Sequence, residues 1–274
     1  MLKKMDKLNL NPFGMSEQSF DSDELDMLKI ESFNKKKGDL TGYDCPKCLN
    51  RGRYAVAKES GGMSIVDCDC MKIRRCVQKM EESGLRDVIR DWTFDAFQAA
   101  DSWQATIKQG AMDYADNVEG WLLFCGQSGS GKTHLCTAVC RHLLLAGKEV
   151  RYMPWRQAIR DLKGTAKEPA IQAEAIKKYQ DAPILYIDDL FKTSKSADGS
   201  CGPPGADVNL AFDIINFRYT KRLTTIISTE RFPAELVEID EATGGRIVEM
   251  ARGHTFSIEK KPGRNYRLRG VTTV

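Results

Sequence analysis

The stretch Cys125–Cys136, CGQSGSGKTHLC, places Gly126, Gly131, Lys132 and Thr133 in the spacing G-x-x-x-x-G-K-[ST]. Gly129 adds a further residue able to take positive φ, and Ser128, Ser130 and His134 complete the candidate binding loop. The order has a chemical reason. Successive backbone N–H groups wrap phosphates, the lysine reaches the β and γ oxygens, and the hydroxyl is offered to Mg²⁺. A loop of this kind joins a buried strand to a helix. WLLFC, Trp121–Cys125, supplies the strand, and from Lys132 onward Leu135, Val139, Leu143 and Ala146 follow one helix face.

Outward from this loop the pattern repeats. WLLFC, EVRYM, PILYID, TTIIS and HTFSI are strand-like runs separated by longer amphipathic stretches, which predicts an α/β layer with a mainly parallel sheet. PILYIDDLF ends in Asp188 and Asp189. Asp188 is expected to hold Mg²⁺ and Asp189 to orient or deprotonate an attacking water; the alternative is a pair that caps the next helix. TTIISTE ends in Ser228, Thr229 and Glu230, which would lie beside the γ-phosphate if this strand neighbours the first. KTSKSADGSCGPPGADV, rich in Ser, Gly and Pro, reads as a surface loop.

The 274 residues allow two units, and the 42% apolar and 29% charged fractions are those of a soluble globular chain. No apolar run approaches the roughly 20 residues that cross a bilayer, and MLKKMDKLNLNPFGM lacks the apolar centre of an export signal. A cytoplasmic protein is expected. The net charge of +3 implies no nucleic acid by itself, although Lys260, Lys261, Arg264, Arg267 and Arg269 make the C-terminal stretch basic.

Nine cysteines without an export signal point to metal or free thiols rather than disulfides. CPKC gives Cys45 and Cys48, CDC gives Cys68 and Cys70, and four thiolates on two tight turns can close a tetrahedral Zn²⁺ site. An Fe–S cluster or free buried thiols are the rival readings. Cys76 falls on the helix that follows and is read as a non-ligand, while Cys125, Cys136, Cys140 and Cys201 are read as packing residues. The expected organisation is an N-terminal helical segment over 1–40, with Leu25, Leu28, Ile30 and Phe33 at helical spacing, a zinc module over 41–76, a helical linker over 77–100 and the nucleotide domain over 101–274.

GYDCPKCLNRG, DCDCMKIRR, SGLRD, TFDAF, GQSGSGKTHLC, LYIDDLFK and FDIINFRYTKRLTTIIST, in this order, resemble the bacterial and phage helicase loaders of the DnaC/DnaI type, AAA+ ATPases related to the IstB transposition helper. The resemblance implies an AAA+ (ASCE) P-loop core, a parallel sheet sandwiched by helices with no C-terminal lid, behind a small zinc-binding module. It implies an ATPase that binds ATP and Mg²⁺, docks on the hexameric replicative DNA helicase through its N-terminal region, binds single-stranded DNA and self-associates. Under it Arg246, in GGRIVEM, matches an arginine finger donated to a neighbouring subunit's ATP. Glu230 stands where the family usually has Asn as first sensor, with Thr229 as fallback; Arg218 is a further arginine of the pattern. Lys192, Thr193, Lys195 and Ser196 are candidate DNA contacts. An IstB-like DNA-binding helper is the alternative function.

Overall fold

Residues 22–41, 43–80, 88–192 and 202–268 are described by the structure, a computed structural model. The chain divides into two units, residues 1–68 and 69–274. In the first, helix α1 (Ser22–Asn34) packs on an antiparallel hairpin of β1 (Arg53–Ala57) and β2 (Met63–Asp67), with Ala55 opposite Ile65. Asn34 ties helix to strand: its side chain donates to the Ala55 carbonyl at 3.0 Å and accepts from the Ala55 N–H at 2.8 Å. The expected N-terminal helix and the strand in GMSIVDC are both present. Apolar burial in this unit is confined to Cys45, Cys48, Ala55 and Cys68 among the described residues.

The second unit opens with α2 (Cys70–Met80), α3 (Val88–Asp91) and α4 (Ser102–Asp116), then alternates β3 (Leu122–Gly126), α5 (Lys132–Leu145), β4 (Val150–Pro154), α6 (Trp155–Gly164), α7 (Pro169–Gln180), β5 (Ile184–Leu190), α8 (Gly205–Thr220), β6 (Thr224–Thr229), α9 (Pro233–Ile239), α10 (Glu241–Met250) and β7 (Thr255–Ile258). All five predicted strands are here, every pairing is parallel, and the order is β4-β5-β6-β3-β7. Thus β6 lies between the phosphate-loop strand and the acidic strand.

The continuous apolar run of β3 follows from its place inside the sheet, covered on both faces. Leu122 and Phe124 pack with Ala111 and Tyr114 of α4 and Leu135 and Val139 of α5. Trp121, Leu123 and Cys125 face the other way, toward Ala158, Ile214 and Ile247. Cys125, Cys136 and Cys140 are fully buried core residues, as expected. Ala146 departs from the expected helix face: it is the C-cap after α5 and is exposed. The segment read as a linker contributes Ile89 and Phe97 to the core. No helix among the described residues is long and apolar enough to cross a membrane. Thr193, Lys195, Ser196, Cys201 and Arg269 lie outside the described residues, as does the side chain of Cys76.

Candidate functional site

The phosphate loop leaves the sheet at Gly126 and enters α5 at Lys132. Two of its glycines are required by geometry. Gly126 has φ 102°, and a Cβ there would sit 2.1 Å from the Ile258 carbonyl oxygen of neighbouring β7; Gly131, the N-cap of α5, has φ 95°. Ser130 donates to the Gln127 carbonyl at 2.7 Å, folding the loop on itself. The Lys132 ammonium is buried and donates to the Gly126 and Gln127 carbonyls at 2.9 and 2.7 Å. Burial pulls its pKa below the ordinary lysine value, partly offset by Glu230 and Asp189. A lysine held by neutral carbonyls readily exchanges them for phosphate oxygens.

Asp188 is buried at 8% exposure, and its carboxylate accepts four hydroxyls: Thr133 at 3.1 Å, Tyr186 at 2.8 Å and Ser228 at 2.5 Å on Oδ1, and Tyr152 at 3.0 Å on Oδ2. Burial and the adjacent Asp188 charge push both tyrosine pKa values upward, so each stays a donor at neutral pH. The direct link from Thr133 to Asp188 joins the phosphate loop to the acidic strand. A hydroxyl and a carboxylate oxygen on adjacent elements are the hard donors that Mg²⁺ takes, with water filling the rest. The acidic pair caps no helix; it lies within β5, where the pairing with β6 shifts register between Ile187 and Leu190.

Asp189 sits in that irregularity with φ 58°, an uncommon conformation for a residue with a side chain. Its N–H donates to Ser228 Oγ at 2.9 Å, and its carboxylate lines the same cavity of about 450 Å³ as Ser128, Lys132 and Thr133. Glu230 lines it too. Burial tends to raise the Glu230 pKa, but Ser128, Lys192 and Lys132 outweigh it and hold the carboxyl below its ordinary value.

The other expected residues have partners of their own. Thr229 is fully buried, donating to the Leu190 carbonyl at 2.8 Å and accepting the Arg231 N–H at 3.1 Å, so it fastens two strand ends. His134 lines the cavity and is held by aromatic neighbours: it stacks on Trp92 with centroids 5.5 Å apart, meets Phe97 edge-on, and its Nε2 lies 2.8 Å from the Thr93 carbonyl. The Lys192 ammonium lies between Asp189 and Glu230, and the residue lines the cavity. Arg218 is fully buried, with its guanidinium donating to Thr225 Oγ1 and to the carbonyls of Tyr179, Gln180, Ala182 and Thr224. Desolvation lowers its pKa to about 9, still charged at neutral pH, and its work is to splice α7, α8 and β6. Arg246 does not line the cavity; its guanidinium lies 5.4 Å from the Phe212 and Tyr219 ring centres and donates to the Ala242 carbonyl.

The four cysteines converge. The Sγ atoms of Cys45, Cys48, Cys68 and Cys70 all lie within 4.8 Å of one another and are buried. Cys45 and Cys68 sulfurs are 3.8 Å apart, and a tetrahedron of about 2.3 Å metal–sulfur bonds has edges of about 3.8 Å. Leu49 and Asn50 at φ 47° and 66° make the tight turn, and the Gly52 N–H donates to Cys48 Sγ at 3.3 Å. The donor set fits one tetrahedral ion.

The family model for the IstB-like ATP binding protein matches residues 70–241. The chain belongs to this IstB-like family. The phage-like element PBSX protein XkdC of Bacillus subtilis is 29% identical over 247 residues, covering 86% of this chain and 90% of that protein. The replicative helicase loader DnaC of Escherichia coli K12 is 26% identical over 130 residues, so the chain spans about half of it, 52%. A crystal structure of the DnaC helicase loader superposes with TM-score 0.50 at 20% identity, over 64% of this chain and 99% of that one, and supports the AAA+ fold.

For an IstB-like ATP-binding domain, the sequence reading omitted one wall of the cavity. Trp92, Phe97, Gln98, Tyr266 and Arg267 line it. Tyr266 is brought there by its N–H, which donates to the Gly129 carbonyl at 2.8 Å, and by its hydroxyl on Gln98. Trp92 and Phe97 lie in the stretch that includes TFDAF, flat apolar rings suited to a nucleobase beside the phosphate loop.

Proposed function

We propose that this IstB-like chain is a Mg²⁺-dependent ATPase that helps place a hexameric replicative DNA helicase on DNA. The observation that carries the ATPase part is the Thr133–Asp188 hydrogen bond beside Lys132, which puts a phosphate-binding lysine and two hard metal donors at one point. Mg²⁺, when bound there by Thr133 and Asp188, neutralises charge on the β- and γ-phosphates. Lys132 exchanges loop carbonyls for phosphate oxygens, Asp189 orients and deprotonates the attacking water, and Trp92 and Phe97 exclude solvent around the base. Arg246, absent from its own cavity, suits donation to a neighbouring subunit's ATP, making turnover depend on assembly. Zn²⁺ on Cys45, Cys48, Cys68 and Cys70 holds the N-terminal unit that docks on the helicase, and the AAA+ domain takes single-stranded DNA.

Support for the loader comes from the cysteine unit in front of the core and from the relation to DnaC. The IstB-like transposition helper is the alternative, and it requires DNA but no helicase. Native mass spectrometry of the chain with a hexameric replicative helicase, with and without ATP, separates them. A complex is expected that ATP and single-stranded DNA alter and that Lys132→Ala leaves insensitive to ATP. No complex under any condition sinks the loader reading.

A further inference from the structure

The end of β6 offers the terminal phosphate no neutral donor. Ser228 is engaged with Asp188 and the Asp189 N–H, and Thr229 with the Leu190 carbonyl and the Arg231 N–H. Glu230, the next residue, lines the cavity as a carboxylate, which by itself would repel a triphosphate. One side chain changes that balance. Lys192, also lining the cavity, places its ammonium 2.8 Å from Asp189 Oδ2 and 3.2 Å from Glu230 Oε1. Its side chain is 29% exposed, half-buried and reachable from the cavity.

We infer that Lys192 is a second phosphate lysine, which reads the terminal phosphate of ATP, and that Glu230 is the residue that positions it. The inference rests on the ATP-site reading above. An ammonium shared by two carboxylates can give up one for a phosphate oxygen and keep the other. Exchange of Asp189 leaves Lys192 anchored on Glu230 and releases the Asp189 carboxylate for the water. Binding of a triphosphate, and not of a diphosphate, then frees the base. Glu230 in place of a neutral sensor is thereby explained: a carboxylate there pairs with the charge of the lysine, as a neutral amide does not. Burial works against the Lys192 charge, but Asp189 and Glu230 outweigh it and keep the ammonium above its ordinary pKa.

The test is a titration of the full chain with fluorescent ADP and with a fluorescent, non-hydrolysable ATP analogue, both with Mg²⁺, for wild type, Lys192→Met and Glu230→Gln. Loss of one charge-assisted contact to a phosphate should weaken the triphosphate by about 10-fold or more in Lys192→Met and leave ADP within about 2-fold. Glu230→Gln should show a smaller loss of the same kind, because Asp189 still holds the lysine. Unchanged ADP binding certifies that the variants are folded. Equal loss for both nucleotides, or no loss for either, overturns the inference; the second would make Lys192 only a restraint on Asp189. A wild type that binds neither nucleotide overturns the ATP-site reading itself, which the other two outcomes leave standing.

Discussion

At the scale of single residues, the site is governed by what each polar group is bonded to. Asp188 is the plainest case: a nearly buried carboxylate is tolerated because four hydroxyls surround it. Tyr186→Phe removes one donor and leaves the shape of the side chain intact. A hydrogen bond to a charged acceptor is worth about 1.5–3 kcal/mol, so thermal or urea unfolding of the variant should show a loss of that order. The Mg²⁺ concentration needed for half-maximal nucleotide binding should also rise, because Asp188 is less firmly aimed. An unchanged Mg²⁺ midpoint would show that the tyrosine only packs. Tyr186 carried an unused signal, since residues two apart on a strand share a face and Tyr186, taken only as part of an apolar run, precedes Asp188 by two. Tyr152 carried none: it reaches Asp188 because it pairs with Tyr186 across β4 and β5, and strand order is absent from local pattern. The surroundings of His134 were hidden for a related reason, because its Trp92 and Phe97 partners come from a distant stretch.

At the scale of elements, β5 shows how a strand turns a side chain toward chemistry. A regular strand would point Asp188 and Asp189 to opposite faces. The irregularity between Ile187 and Leu190 is where Asp189 takes φ 58°, and Asp189 lines the cavity with the phosphate loop while Asp188 accepts from Thr133. The inner strands β3, β5 and β6 were legible as apolar runs, because both faces are covered and the runs need no alternation, while the edge strands β4 and β7 keep polar positions such as Arg151, Thr255 and Ser257. The irregularity was not legible, since Asp-Asp carries no glycine to announce it. Asparagine tolerates the left-handed region and β-branched residues do not. Asp189→Asn should therefore abolish ATP turnover while the nucleotide domain unfolds within about 0.5 kcal/mol of wild type. Asp189→Val should abolish turnover and also destabilise by about 1–2 kcal/mol more. Equal stability of the two variants, measured by urea unfolding, would deny that the backbone is strained there.

At the scale of the whole molecule, the two units differ in what can hold them. Residues 69–274 have apolar cores on both faces of a five-stranded sheet. Residues 22–68 bury few apolar side chains, three of them cysteines, and a core so small is of the kind that a metal, where one is bound, holds against the conformational entropy of ordering the chain. Binding free energy of a structural Zn²⁺ is then folding free energy of that unit. The purified chain should carry one equivalent of zinc by elemental analysis, and Cys45→Ser and Cys68→Ser should lose it. Chelation at neutral pH should expose residues 22–68 to protease while nucleotide binding persists, because every side chain lining the cavity lies beyond residue 69. Zinc retained in both serine variants would refute the ligand set, and iron together with acid-labile sulfide in its place would replace a single tetrahedral ion by a cluster. Loss of nucleotide binding on chelation would show that the metal also supports the ATP site.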